Sequence, residues 1–177
     1  MSTLRPPITP YDHVRGPADA EVALVEYGDY QCPHCAAAHP HVKLVERQFG
    51  RRLCFAFRHF PLNQVHPYAE SAAECAEVAA AHSRFWEMHD GLYENQELLG
   101  PPLFLELARN LGISDLELSQ ALTAGTFAPK VRSDFLGGVR SGVNGTPTFF
   151  INGRRHDGTY LHQDLAAAIE THLHAKV

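Results

Sequence analysis

Val22-Ala-Leu-Val-Glu-Tyr-Gly-Asp-Tyr-Gln-Cys-Pro-His-Cys35 is the stretch that decides the fold. Its first half, up to Tyr27, is apolar and β-branched, as a buried parallel strand should be. Its second half ends in two cysteines two residues apart. Ala36-Ala-Ala-His39 follows and reads as a helix, with Pro33 in the first turn, where a missing N–H costs nothing. Cys32 therefore falls at a strand-to-helix junction. Free backbone N–H groups and the helix dipole favour an anion there, and here the anion is a thiolate.

Outward from this stretch, the first helix is predicted from about Pro33 to Phe49, with a kink at Pro40 and a stop at Gly50. Residues 51–60 are rich in aromatics and partly alternating, and read as a second strand. Strand, helix, strand is the βαβ pattern of a parallel sheet. Residues 1–20 carry Pro6-Pro7, Pro10 and Gly16-Pro17 and are expected to be an irregular arm that packs across the surface.

A helical block comes next. Pro67 opens a helix running to about His82, and residues 83–95 continue it or start another. Pro101-Pro102 opens a short helix closed by Gly112. Ser114-Asp-Leu-Glu117 reads as a capping box for a helix that ends at Gly125. A last helix of the block, about 126–141, is weakened by Gly137-Gly138. Thr148-Phe-Phe-Ile151 is then a strand, Asn152-Gly153 a hairpin turn, Arg154 to Asp157 the returning strand, and about Leu161 to His174 a closing helix. The expected division is an arm at 1–20, a β-α-β half at 21–64, a helical insertion at 65–143 and a β-β-α half at 144–177.

The 177 residues suit one domain with a large insertion, and 45% hydrophobic content supports a real core. A net charge of −5 without a long basic run argues against a nucleic-acid partner. No apolar run is long enough to span a membrane. Residues 1–10 lack the apolar stretch of a signal peptide, so the chain reads as cytoplasmic, or as exported if the native chain has been trimmed. Four cysteines do not make a disulfide scaffold. Cys54 and Cys75, in apolar runs, read as buried inert thiols. Zinc is the competing use of a C-x-x-C pair. His39 and His41 are near in sequence, but no second C-x-x-C accompanies the first, so no metal is expected.

Three separated features together resemble the DsbA-like branch of the thioredoxin superfamily: Cys32-Pro33-His34-Cys35 at the first helix, Gly145-Thr146-Pro147-Thr148 before a strand, and a helical block between the two halves. Tyr27-Gly-Asp-Tyr-Gln-Cys32, Arg58-His-Phe-Pro61 and Ser141-Gly-Val-Asn-Gly-Thr-Pro147 resemble its small bacterial subgroup. The resemblance implies an α/β thioredoxin fold, a mixed central sheet flanked by helices with an all-helical insertion. It also implies thiol–disulfide exchange with protein or peptide thiols, with glutathione or a redox partner for turnover. The dithiol itself would be the redox centre, so no further cofactor is implied.

In this reading Cys32, solvent-accessible at the helix start, is the nucleophile and Cys35, one turn inward, resolves the mixed disulfide. Pro33 shapes the motif. His34 supports the Cys32 thiolate by a hydrogen bond or partial charge. The resemblance places a cis proline at Pro147, leaving strand backbone near the dithiol to pair with substrate. Thr146 supplies that pairing, and its hydroxyl can touch the sulfur. DsbA itself usually has valine there, and threonine is more similar to isomerase-type members. Glu26 falls where the superfamily puts a buried acid beneath the second cysteine, as proton acceptor for Cys35. Tyr30 borders the substrate surface. His59, His66 and His82 read as surface or cap residues, and Phe85, Trp86 and Met88 as core of the insertion. A reductase or isomerase, and a chaperone-like binding module without turnover, remain open as alternatives.

Overall fold

The computed structural model describes residues 2–174. Its central sheet has the order β1-β3-β2-β4-β5. The strands are β1 (His13–Arg15), β2 (Val22–Gly28), β3 (Leu53–His59), β4 (Thr148–Ile151) and β5 (Arg154–His156). β2 and β3 pair in parallel, with Glu26 opposite Phe57, and the other pairings are antiparallel. The sheet is therefore mixed, as expected for a thioredoxin fold.

Helix α1 (Pro33–Phe49) makes the crossover from β2 to β3 and continues through Pro40. Gly50 stops it with φ +51. Between β3 and β4 lie α2 (Ala69–Ala81), α3 (Phe85–Glu94), α4 (Pro101–Asn110), α5 (Asp115–Ala124) and α6 (Ala128–Arg140), and α7 (His162–His174) follows β5. Residues 83–95 thus form a separate helix, entered through a turn in which Ser83 takes a positive φ. Ser114 caps α5 by accepting from the Glu117 N–H at 3.2 Å. The Glu117 side chain, rather than reaching back, bonds His82. Asn152 and Gly153 both have positive φ, as the tight turn between β4 and β5 requires. Asn152 also ties that turn to β2, exchanging bonds of 2.8 and 2.9 Å with the Ala23 backbone.

Strand alternation gives the sheet two faces. Val22 and Leu24 join a core with α1, α7 and the insertion helices, including Cys35, Met88, Leu92 and Tyr93. Val25 and Tyr27 join Phe150, Ala56 and Phe60 on the other face, under α6. Gly138 lets α6 come close there, because a Cβ would meet the Phe60 ring at 2.6 Å. The pair of glycines that weakens the helix is thus what lets it pack.

Residues 2–20 pack across the surface, with short pairings at both sheet edges. Thr3 bridges to Arg154 at one sheet edge, and β1 pairs with β3 at the other. The segment between crosses the face and is held by the buried Arg58 guanidinium. Arg58 bonds Asp12 at 2.7 and 2.9 Å, the Pro6 and Pro7 carbonyls at 2.9 Å and the Tyr27 hydroxyl at 3.0 Å. Prolines suppress a helix in this segment, but they do not prevent short pairing at an edge.

Candidate active site

The turn from β2 into α1 is held by hydrogen bonds from both sides of its sequence. The buried Asp29 carboxylate accepts from the Gln31 N–H at 2.7 Å, the Leu62 N–H at 2.9 Å and His66 Nδ1 at 2.8 Å. The Cys32 N–H donates to the Asp29 carbonyl at 3.1 Å. Gln31 Oε1 accepts from the Tyr68 N–H at 2.7 Å. The Gln96 amide nitrogen, from the turn after α3, donates to the Tyr30 and Cys32 carbonyls at 2.7 and 2.9 Å. Asp29, Tyr68 and Gln96 were not among the sequence candidates. An acid in a turn before a helix is a recognisable signal for Asp29. Nothing in the local sequence marks Gln96, because its partners are backbone atoms far along the chain.

Cys32 is the N-cap of α1 and Pro33 its first residue. Both motif cysteines are free thiols. Cys32 is expected to be solvent-accessible, but it is only 4% exposed, because the 145–147 loop lies over it. Its sulfur faces the Thr146 carbonyl at 3.4 Å. Its pKa is lowered to about 5. The hydrogen bond from the Cys35 thiol is the main cause, opposed by burial and reinforced by Thr146 and the backbone N–H groups of Cys35 and His34. The Thr146 hydroxyl is buried with no other partner, which leaves it free for the sulfur. Cys35 has no exposed surface, and burial, Cys32 and Glu26 push its thiol well above the ordinary value. The two sulfurs of one motif are thereby driven apart in acidity.

The Thr146–Pro147 peptide is cis. Glu26 is buried on β2, with Oε1 unpartnered. Burial, then the charges of Glu46 and Cys32, raise its pKa to about 8. The His34 side chain is exposed, and its backbone N–H is the part that acts on Cys32.

Tyr30 does not border a surface. It is 1% exposed, with its hydroxyl on His89 Nδ1 at 3.0 Å, because the residue points inward among Phe57, His89 and Tyr93. His59 is likewise not a surface residue. It is 1% exposed, and its Nε2 meets Glu77 Oε1 at 2.7 Å, where His13 Nε2 also arrives at 2.8 Å. It lies at the end of β3, under α2 and α3, where the insertion covers it. His66 is half-buried on Asp29, and His82 caps α2 at the surface. Phe85 and Met88 are core, with Trp86 packed against them. Cys54 and Cys75 are buried, and burial raises both thiols above the ordinary range. Among the described residues, two clusters bring three potential metal ligands together, His13–His59–Glu77 and His39–His89–Asp90, and neither includes the dithiol.

A family model described as thioredoxin matches residues 8–171. Among solved structures, oxidised BdbD from Bacillus subtilis superposes with a TM-score of 0.87 at 25% identity, covering 98% of each chain. DsbA1 from Wolbachia pipientis gives 0.82 at 18% identity, covering 95% of this chain and 94% of its own. The catalytic domain of Proteus mirabilis ScsC gives 0.80 at 17% identity, with coverages of 97% and 93%. In sequence, the chain is 44% identical over 158 residues to a protein named Na(+)/H(+) antiporter NhaA 1 from Salinispora arenicola, covering 89% of this chain and 24% of that protein. An antiporter NhaA 1 from a Mycobacterium species is 38% identical over 172 residues, with coverages of 96% and 28%. The chain thus spans about a quarter of the length of these relatives. Among the described residues, no helix is long and apolar enough to cross a membrane.

Proposed function

The chain belongs to the thioredoxin family, in its DsbA-like branch, and from that premise we propose that it exchanges disulfides with protein or peptide thiols through Cys32 and Cys35. One observation carries the reading. A thiol with a pKa of about 5 faces the cis-proline loop, with a second thiol of much higher pKa directly behind it. Such a pair divides the work. At neutral pH Cys32 is a thiolate, so it attacks a disulfide and is also a good leaving group. Cys35 holds its proton until Cys32 is engaged. It then attacks the Cys32 sulfur, and the substrate sulfur leaves. The Thr146 backbone beside Pro147 pairs with the extended substrate chain. Glu26, with a pKa near 8 raised in part by the Cys32 charge, accepts the Cys35 proton in its ionised form, a fraction that increases when the mixed disulfide removes that charge. The dithiol is the redox centre, and glutathione or a protein partner returns it to its starting state.

The lowered Cys32 pKa stabilises the reduced pair, so the protein falls toward the oxidising end of the family. Insulin reduction and the refolding of a scrambled substrate test the exchange. Wild type is expected to be active in at least one of these, and Cys32→Ser inactive in both. Full activity of Cys32→Ser would overturn the reading. Equilibration of the Cys32–Cys35 pair with glutathione then gives the direction of electron flow.

A further inference from the structure

Buried polar atoms around the dithiol and α1 without a hydrogen-bond partner include Glu26 Oε1, Thr146 Oγ1, His39 Nε2 and the hydroxyl of Tyr93. The first two already have a part in the exchange, and Tyr93, on α3 of the insertion, does not. Its ring packs on Tyr30 at 4.8 Å and on His39 at 5.1 Å between centroids. His39 lies one turn beyond Cys35, on the same buried face of α1. The other end of Tyr93 meets β2, because a Cβ on Gly28 would stand 2.7 Å from its hydroxyl. Gly28 comes two residues after Glu26, so both face the same side of the sheet. The hydroxyl thus abuts β2 on the side that carries Glu26, while its ring lies against the face of α1 that carries Cys35. Burial, and after it the charges of Cys35 and Glu26, hold the phenol well above its ordinary pKa, so it stays protonated.

An orphaned hydroxyl at full burial is destabilising in the resting protein. It gains a partner when a negative charge forms beside it. We propose that the Tyr93 hydroxyl donates a hydrogen bond to the Cys35 sulfur as that sulfur becomes a thiolate, making Tyr93 a catalytic residue of the resolving step, supplied by the helical insertion. The proposal rests on disulfide exchange at Cys32 and Cys35. In the mixed disulfide, the Cys35 thiol gives its proton to the Glu26 carboxylate. The Cys35 thiolate attacks the Cys32 sulfur. The Cys32–Cys35 bond forms, and the bond from Cys32 to the substrate sulfur breaks. The substrate leaves as a reduced thiolate with the electron pair, and the protein dithiol is left oxidised. Tyr93 keeps its proton throughout and contributes only the hydrogen bond.

Tyr93→Phe removes the oxygen and leaves the ring. Reduced full-length protein mixed with an aromatic disulfide reagent releases the coloured thiolate twice, once on attack by Cys32 and once on resolution by Cys35. In Tyr93→Phe the first release and its pH midpoint are expected to stay as in wild type. The second is expected to slow roughly tenfold, the effect of one hydrogen bond to a charged group. The variant should resist denaturant at least as well as wild type, because the orphaned hydroxyl is gone. An unchanged second release, or equal slowing of both, would overturn the proposal. If wild type gives no second release, the exchange reading fails and this proposal falls with it. A normal wild type beside an unaltered variant sinks the proposal alone. Should Tyr93→Phe not fold, meta-fluorotyrosine at the same position, a stronger donor, is expected to speed the second release, and no change would count against the role.

Discussion

Around Glu77, buried polar atoms meet buried polar atoms. Two imidazoles, from β1 and β3, converge on one carboxylate oxygen carried by α2. The carboxyl is held well below the usual range by those bonds and charges, against the opposing effect of burial. Arg58 repeats the pattern on the far face with Asp12, two carbonyls and a tyrosine. His59 Nδ1 is a buried atom of the Glu77 cluster left without a partner. Around Cys35 the arrangement is the reverse. Glu26, Thr146 and Tyr93 each bury an unpartnered oxygen, and Glu26 and Cys35 are pushed toward their neutral forms. Both regions lie in the same sheet-and-helix core, so depth alone does not distinguish them. The difference teaches that matched burial fixes three elements to one another, whereas unmatched burial leaves groups ready to change charge.

Removing one partner from the matched region should have the largest effect on stability. Glu77→Ala leaves His13 and His59 facing an empty corner, and is expected to cost about 3–5 kcal/mol in denaturant unfolding. Alkylation of Cys32 in the folded variant should keep its wild-type pH midpoint. A loss below about 1 kcal/mol would mean that the cluster does not hold the arm, β3 and insertion together.

The unmatched region should answer in the opposite direction. Glu26 has a folded pKa raised from 4.5 to about 8, so its ionisation opposes folding. The penalty is absent below about pH 4.5, grows as pH rises, and is complete above about 8. Glu26→Gln is therefore expected to stabilise the protein by a few kcal/mol near pH 9, at about 1.4 kcal/mol for each unit of that interval, and by nothing near pH 4. Unfolding curves across this range test it. A pH-independent difference would remove the carboxylate from the unmatched set.

Gln96 joins the insertion to the dithiol turn, and its loss should have the smallest effect. Gln96→Ala removes two bonds to the carbonyls of Tyr30 and Cys32, expected to cost about 1 kcal/mol. The Cys32 alkylation midpoint is expected to rise above its value near pH 5 as the turn loosens. An unchanged midpoint would show that Asp29 and α1 hold the thiolate without help from the insertion.

Local signals accounted for the parts of the fold that are themselves local. The Ser114 cap, the Gly50 and Gly125 stops, the Asn152-Gly153 turn and the run into Cys32 each act within a few residues. In the arm, Pro6, Pro7 and Pro10 announce the irregular course, but β1 and the bonds to Arg58 that hold the segment depend on another strand and left no local signal. His59 and Tyr30 were misplaced for a related reason. Polar residues are usually exposed, and only the insertion folding over β3 and the motif turn covers these two. Gly137-Gly138 reads in sequence only as a weak point in a helix, and its use became visible once Phe60 lay against it.

By itself the sequence determined the order of elements from β2 onward and the dithiol at a helix start, because spacing, capping and turn chemistry are short-range; a proline facing the dithiol came only from the family resemblance. Only the tertiary structure decided which buried polar atoms find partners. That depends on where distant segments meet: Glu77 with His13 and His59, Gln96 with the Cys32 carbonyl, and Tyr93 with β2 at Gly28. Solvation and pairing set a charge's cost, and both are properties of the packed chain rather than of its neighbours in sequence.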